Sequence, residues 1–113
     1  MARAPLEARL WLLQRASGTV LAVCVAVHLV TMILAVRGGL TAAEILARTR
    51  GSMAWLCFYG VFVAAVAFHA PLGLRSIVGE WTPWRGRSLD MMLMVFAFVL
   101  LVAGWRAIGG LFA

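Results

Sequence analysis

The sequence predicts an all-α integral membrane protein with three transmembrane helices, and three observations carry that prediction. Hydrophobic residues make up 65% of the 113 residues and charged residues 12%, a balance wrong for a surface that faces water. Mean hydropathy is +1.01. Three apolar stretches, at about 11–36, 52–76 and 89–112, are each long enough to cross a hydrocarbon core of ~30 Å at ~1.5 Å per residue. Residues 1–113 read as one domain, without repeats or low-complexity tracts.

The first stretch carries no formal charge from Ala16 to Val36, apart from any on His28, and its helix is expected to begin a turn or more earlier, at Leu10 or Trp11. Met1 to Arg15 has the charge of a signal-peptide start. The apolar run behind it is too long, however, and no small-residue cleavage site ends it before Arg37, so it is read as a retained span. Gly38 and Gly39 end the helix, and Thr41-Ala42-Ala43-Glu44 reads as a capping box that opens a short interfacial helix through about Thr49. The second span is uncharged from Gly51 to Leu74, and Arg75 is expected to close it. The loop from Glu80 to Arg87, with Trp81 and Trp84 among its residues, suits a headgroup boundary. A third helix follows from Leu89 to near Phe112. Ser88 is its expected N-cap, Asp90 lies at the positive end of its dipole, and Arg106 is placed to snorkel.

Ten arginines, no lysine and four acids give a net charge of +6. With three spans, Arg3, Arg9, Arg15, Arg75, Arg85 and Arg87 share one side, and Arg37, Arg48, Arg50 and Arg106 the other. That asymmetry favours a cytoplasmic N-terminus by the positive-inside rule. The charge suits anionic lipid headgroups, and the absence of a long basic face between the spans argues against nucleic acid as a partner. Cys24 and Cys57 sit in apolar runs without CxxC or Cys/His spacing, so they are read as small membrane-core side chains in preference to a disulfide.

Polar side chains at membrane depth are expensive and normally face the protein interior. Gln14, Ser17, Leu21, Cys24, His28 and Thr31 fall at alternating spacings of three and four and form one stripe, expected to be the buried face of the first helix. The bland role for Gln14, Ser17 and Thr31 is interhelical hydrogen bonding, at ~0.6 kcal/mol each. His69 lies in the run His69-Ala70-Pro71-Leu72-Gly73-Leu74-Arg75. This run suits an axial haem ligand, and it equally suits a histidine bonded to a neighbouring span. For the first role, Gly73 one turn away leaves room for a flat macrocycle, Pro71 frees the carbonyl of Ala67 as an acceptor, and Arg75 is placed to meet a propionate. Helical rise puts His28 and His69 ~12 Å apart in depth. They are therefore not expected to share one iron, and each would need a partner from another chain.

With these residues in hand, the sequence resembles the cytochrome b membrane-anchor subunits of the succinate dehydrogenase and fumarate reductase (succinate:quinone oxidoreductase) family. Arg15-Ala16-Ser17-Gly18 matches the family's R-x-S-G at the start of the first helix, and His69-x-x-x-Gly73-Leu74-Arg75 matches its H-x-x-x-G-[ILV]-R in the second. The resemblance implies half of a two-subunit helix bundle that holds haem b, not catalytic alone. It also implies docking of a flavoprotein and an iron–sulfur protein on the cytoplasmic face of a bacterial-type inner membrane, with electrons passing between the iron–sulfur chain and membrane quinone. By motif position, His69 would be a haem ligand, and Arg15 and Ser17 would border the quinone site with Gln14 beside them. Two departures stand out. Where single-haem members have a quinone-holding hydroxyl, four residues before the motif arginine, this chain has Trp11. His28 stands where those members have no histidine but two-haem members have one, so it looks like a ligand of a second, distal haem.

Two other readings compete. A small proton-coupled transporter needs an acid deep in a span, whereas Glu80 and Asp90 lie only at the boundary. A haem-free structural anchor needs none of the motif chemistry. The direction of turnover and the quinone type belong to the quinone potential and the soluble subunits.

Overall fold

The computed structural model describes residues 3–113, with the side chain of Arg3, one of the arginines in the charge asymmetry, outside the described set. Four helices follow in order: α1 (Arg3–Arg37), α2 (Ala42–Thr49), α3 (Met53–Trp81) and α4 (Arg87–Phe112). Three of them, α1, α3 and α4, are long and apolar enough to cross a membrane. They form a rod of 54 × 25 × 22 Å.

Each helix outruns its apolar stretch. α1 starts at Arg3 rather than Leu10, because the intervening Ala, Leu, Glu and Arg are strong helix formers and Pro5 is tolerated in a first turn. It ends where expected: Gly39 takes φ +66°, and the amides of Gly38 and Leu40 return to the carbonyls of Leu34 and Ala35, as a glycine C-cap requires. Thr41 caps α2 by accepting from the Glu44 amide at 3.2 Å. Arg75 ends the apolar span but not the helix. α3 continues to Trp81, and Thr82 takes an extended conformation at φ −135°, ψ 160°, the geometry imposed on a residue before proline, here Pro83. The start of α4 also differs from expectation. Gly86 is the N-cap, at φ +93°, and the Ser88 hydroxyl instead accepts from the Trp84 indole at 2.7 Å.

α3 is the central helix, packed along one side by α1 and along another by α4, and α2 braces the far end of α4. The expected stripe is the face α1 turns to α3: Ser17 and Cys24 are buried, and Gln14, Gly18, Leu21, His28 and Thr31 are half-buried. The opposite face, with Val20, Val23, Val27 and Leu34, is exposed. The hydroxyls on the stripe do not bridge helices as expected. Ser17 donates to the carbonyl of Gln14 at 3.1 Å and Thr31 to that of His28 at 2.7 Å, satisfying themselves on their own helix in an apolar seam. Both cysteines are free, Cys24 buried and Cys57 exposed.

At the α2 end, Thr49 donates to the Leu111 carbonyl at 2.8 Å and the Gly51 amide to that of Phe112 at 3.0 Å. These bonds satisfy carbonyls that the last turn of α4 leaves open. Between α3 and α4 the packing is tight at Gly104, where an added Cβ would lie 2.5 Å from one Val63 methyl and 2.7 Å from the other. Helix interfaces in lipid are enriched in small residues because these let backbones approach and pack closely. Gly104→Ala is therefore expected to destabilise the α3–α4 pair by ~1–3 kcal/mol, since branched Val63 has little rotamer freedom to yield. Thermal unfolding in detergent checks this, with Val63→Ala in the same chain expected to restore the loss.

Candidate functional site

The α1–α3 seam gathers nearly all of the polar groups placed at membrane depth. Its antiparallel register is fixed by three contacts. A Cβ on Gly73 would lie 3.2 Å from the Gln14 amide nitrogen, and one on Gly18 would lie 3.2 Å from His69 Cε1 and 3.4 Å from its Nδ1. Further along, the Tyr59 hydroxyl meets His28 Nδ1 at 3.3 Å. Ten residues separate Gly18 from His28 on α1, and ten separate Tyr59 from His69 on α3, so the two imidazoles stand about 15 Å apart along the seam at 1.5 Å per residue.

The two histidines have different surroundings. His69 rests on Gly18, the glycine of the R-x-S-G motif, and its Nδ1 is buried with no hydrogen-bond partner. His28 is partnered: its Nδ1 bonds to Tyr59, and Tyr59 and Phe62 meet its ring edge-on at centroid distances of 5.9 and 5.7 Å. Sequence reading missed Tyr59. The available signal was that it is the chain's single tyrosine, a polar-tipped ring within a span, where a buried hydroxyl normally finds a partner. Among the described residues, no group of three or more His, Cys, Asp or Glu comes together as a metal site. Each histidine is thus a single donor.

The remaining candidates lie toward the end of the bundle that holds the α3–α4 loop. Gly73, read from the sequence as room for a macrocycle, receives the Gln14 amide on its α1 side. The Gln14 Oε1 is buried and has no partner. Trp11 and Gln14 line a cleft of about 470 Å³ together with Leu72, Arg75, Ser76 and Arg85. Arg15 and Ser17 do not line it. Arg15 is exposed and lies over the Trp11 ring, 5.4 Å from its centroid, and Ser17 is buried and bonded to its own helix. Arg75 pairs with Asp90 at 3.0 Å, both side chains about half exposed. Arg85 folds back to donate to the carbonyls of Gly79, Thr82 and Trp84, placing its charge at the negative end of the α3 dipole.

A family model described as the succinate dehydrogenase/fumarate reductase transmembrane subunit matches residues 1–104. The chain belongs to this family. No curated protein and no solved structure matched. As a transmembrane subunit of a succinate dehydrogenase or fumarate reductase, it is a multi-pass membrane anchor within a larger complex.

The Arg75–Asp90 pair is half exposed, so its strength is modest. A double-mutant cycle with Arg75→Gln and Asp90→Asn, read by thermal unfolding of the anchor, is expected to give a coupling under ~1 kcal/mol that salt removes. Arg75 is thereby free to exchange partners.

Proposed function

We propose that this subunit holds b haems on His69 and His28, each shared with a second hydrophobic anchor subunit, and carries electrons between an iron–sulfur subunit and membrane quinone. The observation that carries the reading is the state of His69. Its imidazole lies at membrane depth with Nδ1 buried and taken by no group among the described residues, so no other span holds the ring as Tyr59 holds His28, and the ring is left to a ligand. Gly18 gives the ring a flat backbone surface to rest on. Arg75, in an exchangeable pair at the same end of the bundle, has the donors to meet a haem propionate. A haem held between two imidazoles supplies one-electron transfer without a change of ligand. With the histidines about 15 Å apart, the ligand set supports two haems per complex, one at each depth.

For the quinone, the support lies in the cleft beside Trp11 and Gln14. The Gln14 side chain lines the cleft and carries an amide N–H that can donate to a quinone carbonyl. Trp11 stands in place of the hydroxyl expected there, and Arg15 lies over its ring. Ser17 acts at one remove, by holding the Gln14 turn of α1. Five arginines among the described residues, Arg9, Arg15, Arg75, Arg85 and Arg87, crowd this end of the bundle. They support a cytoplasmic placement in a bacterial-type inner membrane, with the iron–sulfur and flavoprotein subunits docked there.

Three outcomes test the reading. His69→Ala is expected to abolish one b haem of the purified complex. Unchanged haem content and an unchanged reduced spectrum would leave His69 structural. Pyridine haemochrome analysis of the parent complex is expected to give two haems per flavin, and a value of one returns His28 to a packing role. Gln14→Leu is expected to lower succinate-to-quinone activity at least tenfold, while succinate oxidation by a soluble dye and haem content persist. If Gln14→Leu is silent and Arg15→Leu with Ser17→Ala lowers quinone activity instead, the quinone binds at the motif residues themselves.

A further inference from the structure

The His28–Tyr59 contact is the single place in the seam where an imidazole nitrogen is tied to a side chain of another helix among the described residues. The tie is built with some rigidity. Tyr59 lies in a ladder of aromatic rings on one face of α3, stacked on Trp55 at 5.7 Å and 25° and on Phe62 at 6.4 Å and 11°. Phe58 closes against its edge at 5.1 Å. The phenol therefore has little freedom, and its hydroxyl is held at the Nδ1 edge of His28. On the α1 side, Thr31 holds the backbone carbonyl of His28.

A neutral imidazole has one N–H and one lone pair, and the bond made by one nitrogen decides what the other presents. A phenol oxygen both donates and accepts. If it donates to Nδ1, then Nε2 bears the proton and has no lone pair for a metal. If it accepts from Nδ1–H, the Nε2 lone pair is available. A metal-ligating histidine almost always donates its second N–H to an oxygen, which fixes the tautomer and raises ligand basicity. His69 has no such oxygen in this chain, because its Nδ1 is unpartnered.

We propose that Tyr59 is a positioning residue for His28. In the assembled complex its oxygen accepts the Nδ1 proton of His28, holding the ring in the tautomer whose Nε2 coordinates the distal haem iron and making that imidazole the more electron-rich of this chain's two ligands. The inference rests on the reading of His28 as a haem ligand and adds the residue that sets its tautomer and electronics. An electron-rich imidazole stabilises ferric iron. Removing the acceptor is therefore expected to raise the midpoint potential of the distal haem and leave the proximal one alone.

The experiment uses the whole haem-loaded complex, with redox titration and low-temperature EPR of the parent, His28→Ala, Tyr59→Phe and Tyr59→Met. His28→Ala identifies the distal haem by its loss. Tyr59→Phe keeps the aromatic ladder and removes only the hydroxyl, and Tyr59→Met keeps an apolar side chain of a different shape. Both are expected to retain two haems, to move the potential of the His28-dependent haem upward, and to shift its low-spin EPR signal, with the His69-dependent haem unmoved as the internal control. If His28→Ala loses a haem while both Tyr59 variants leave potential and EPR unmoved, the positioning role is overturned and the ligand reading stands. If His28→Ala retains every haem, the ligand reading of His28 falls and the inference falls with it. The pair is then an interhelical lock, and loss of the hydroxyl lowers thermal stability alone.

Discussion

Hydrocarbon offers no hydrogen bonds, so every polar side chain this protein carries into the membrane has to be settled against another part of the protein. The α1–α3 seam is where most of that requirement is met. Gly18 and Gly73 remove side chains where His69 and Gln14 need room, Ser17 and Thr31 bond to their own backbone, and Tyr59 answers His28. Since ten residues separate the corresponding positions on both helices, these contacts share one register. Sliding α1 by a turn would bring a side chain against His69 and part His28 from Tyr59.

What the seam leaves unsettled bears on assembly. Oε1 of Gln14 and Nδ1 of His69 remain buried without partners, and α3 is the one long helix that packs against both of the other long helices. A row of three helices closes no bundle and leaves broad apolar faces on α1 and α4 exposed, including Val23, Leu34, Met94 and Phe98. Lipid can cover such faces, but it cannot donate a hydrogen bond or a second axial ligand. An anchor that belongs to a family of transmembrane subunits and carries single histidines at two depths is compatible with the proposed sharing of haem across subunits.

The two ends of the rod are braced differently. At the α2 end, Thr49 and Gly51 close the carbonyls of α4, and the aromatic ladder from Trp55 to Phe62 stiffens α3. At the opposite end Arg85 is consumed in capping α3, whereas Arg75 is held only by a half-exposed pair. The open cleft lies at that second end. Rigid polar contacts deep in the seam and exchangeable charges at the boundary suit the proposed role, with redox groups held in the membrane and soluble partners and quinone met at its surface.

The amino-acid sequence alone determined the membrane-spanning character, the number of spans, the buried stripe of α1 and the short capped helix after Gly39. Each of these follows from local physics: the length of uncharged runs, a spacing of three and four, and glycine and threonine at helix ends. The two motifs were legible too, because they are contiguous. Only the tertiary structure decided which residues meet. Gly73 faces Gln14, Gly18 faces His69, Asp90 takes Arg75, and Tyr59 takes His28. These pairs join positions on different helices, and their meeting depends on the antiparallel register and on which helix sits in the middle. Neither is encoded in the periodicity of a single helix. The overrun of α3 past Arg75 to Trp81 has a different reason: a charge ends an apolar span, but it is Pro83 that stops the helix.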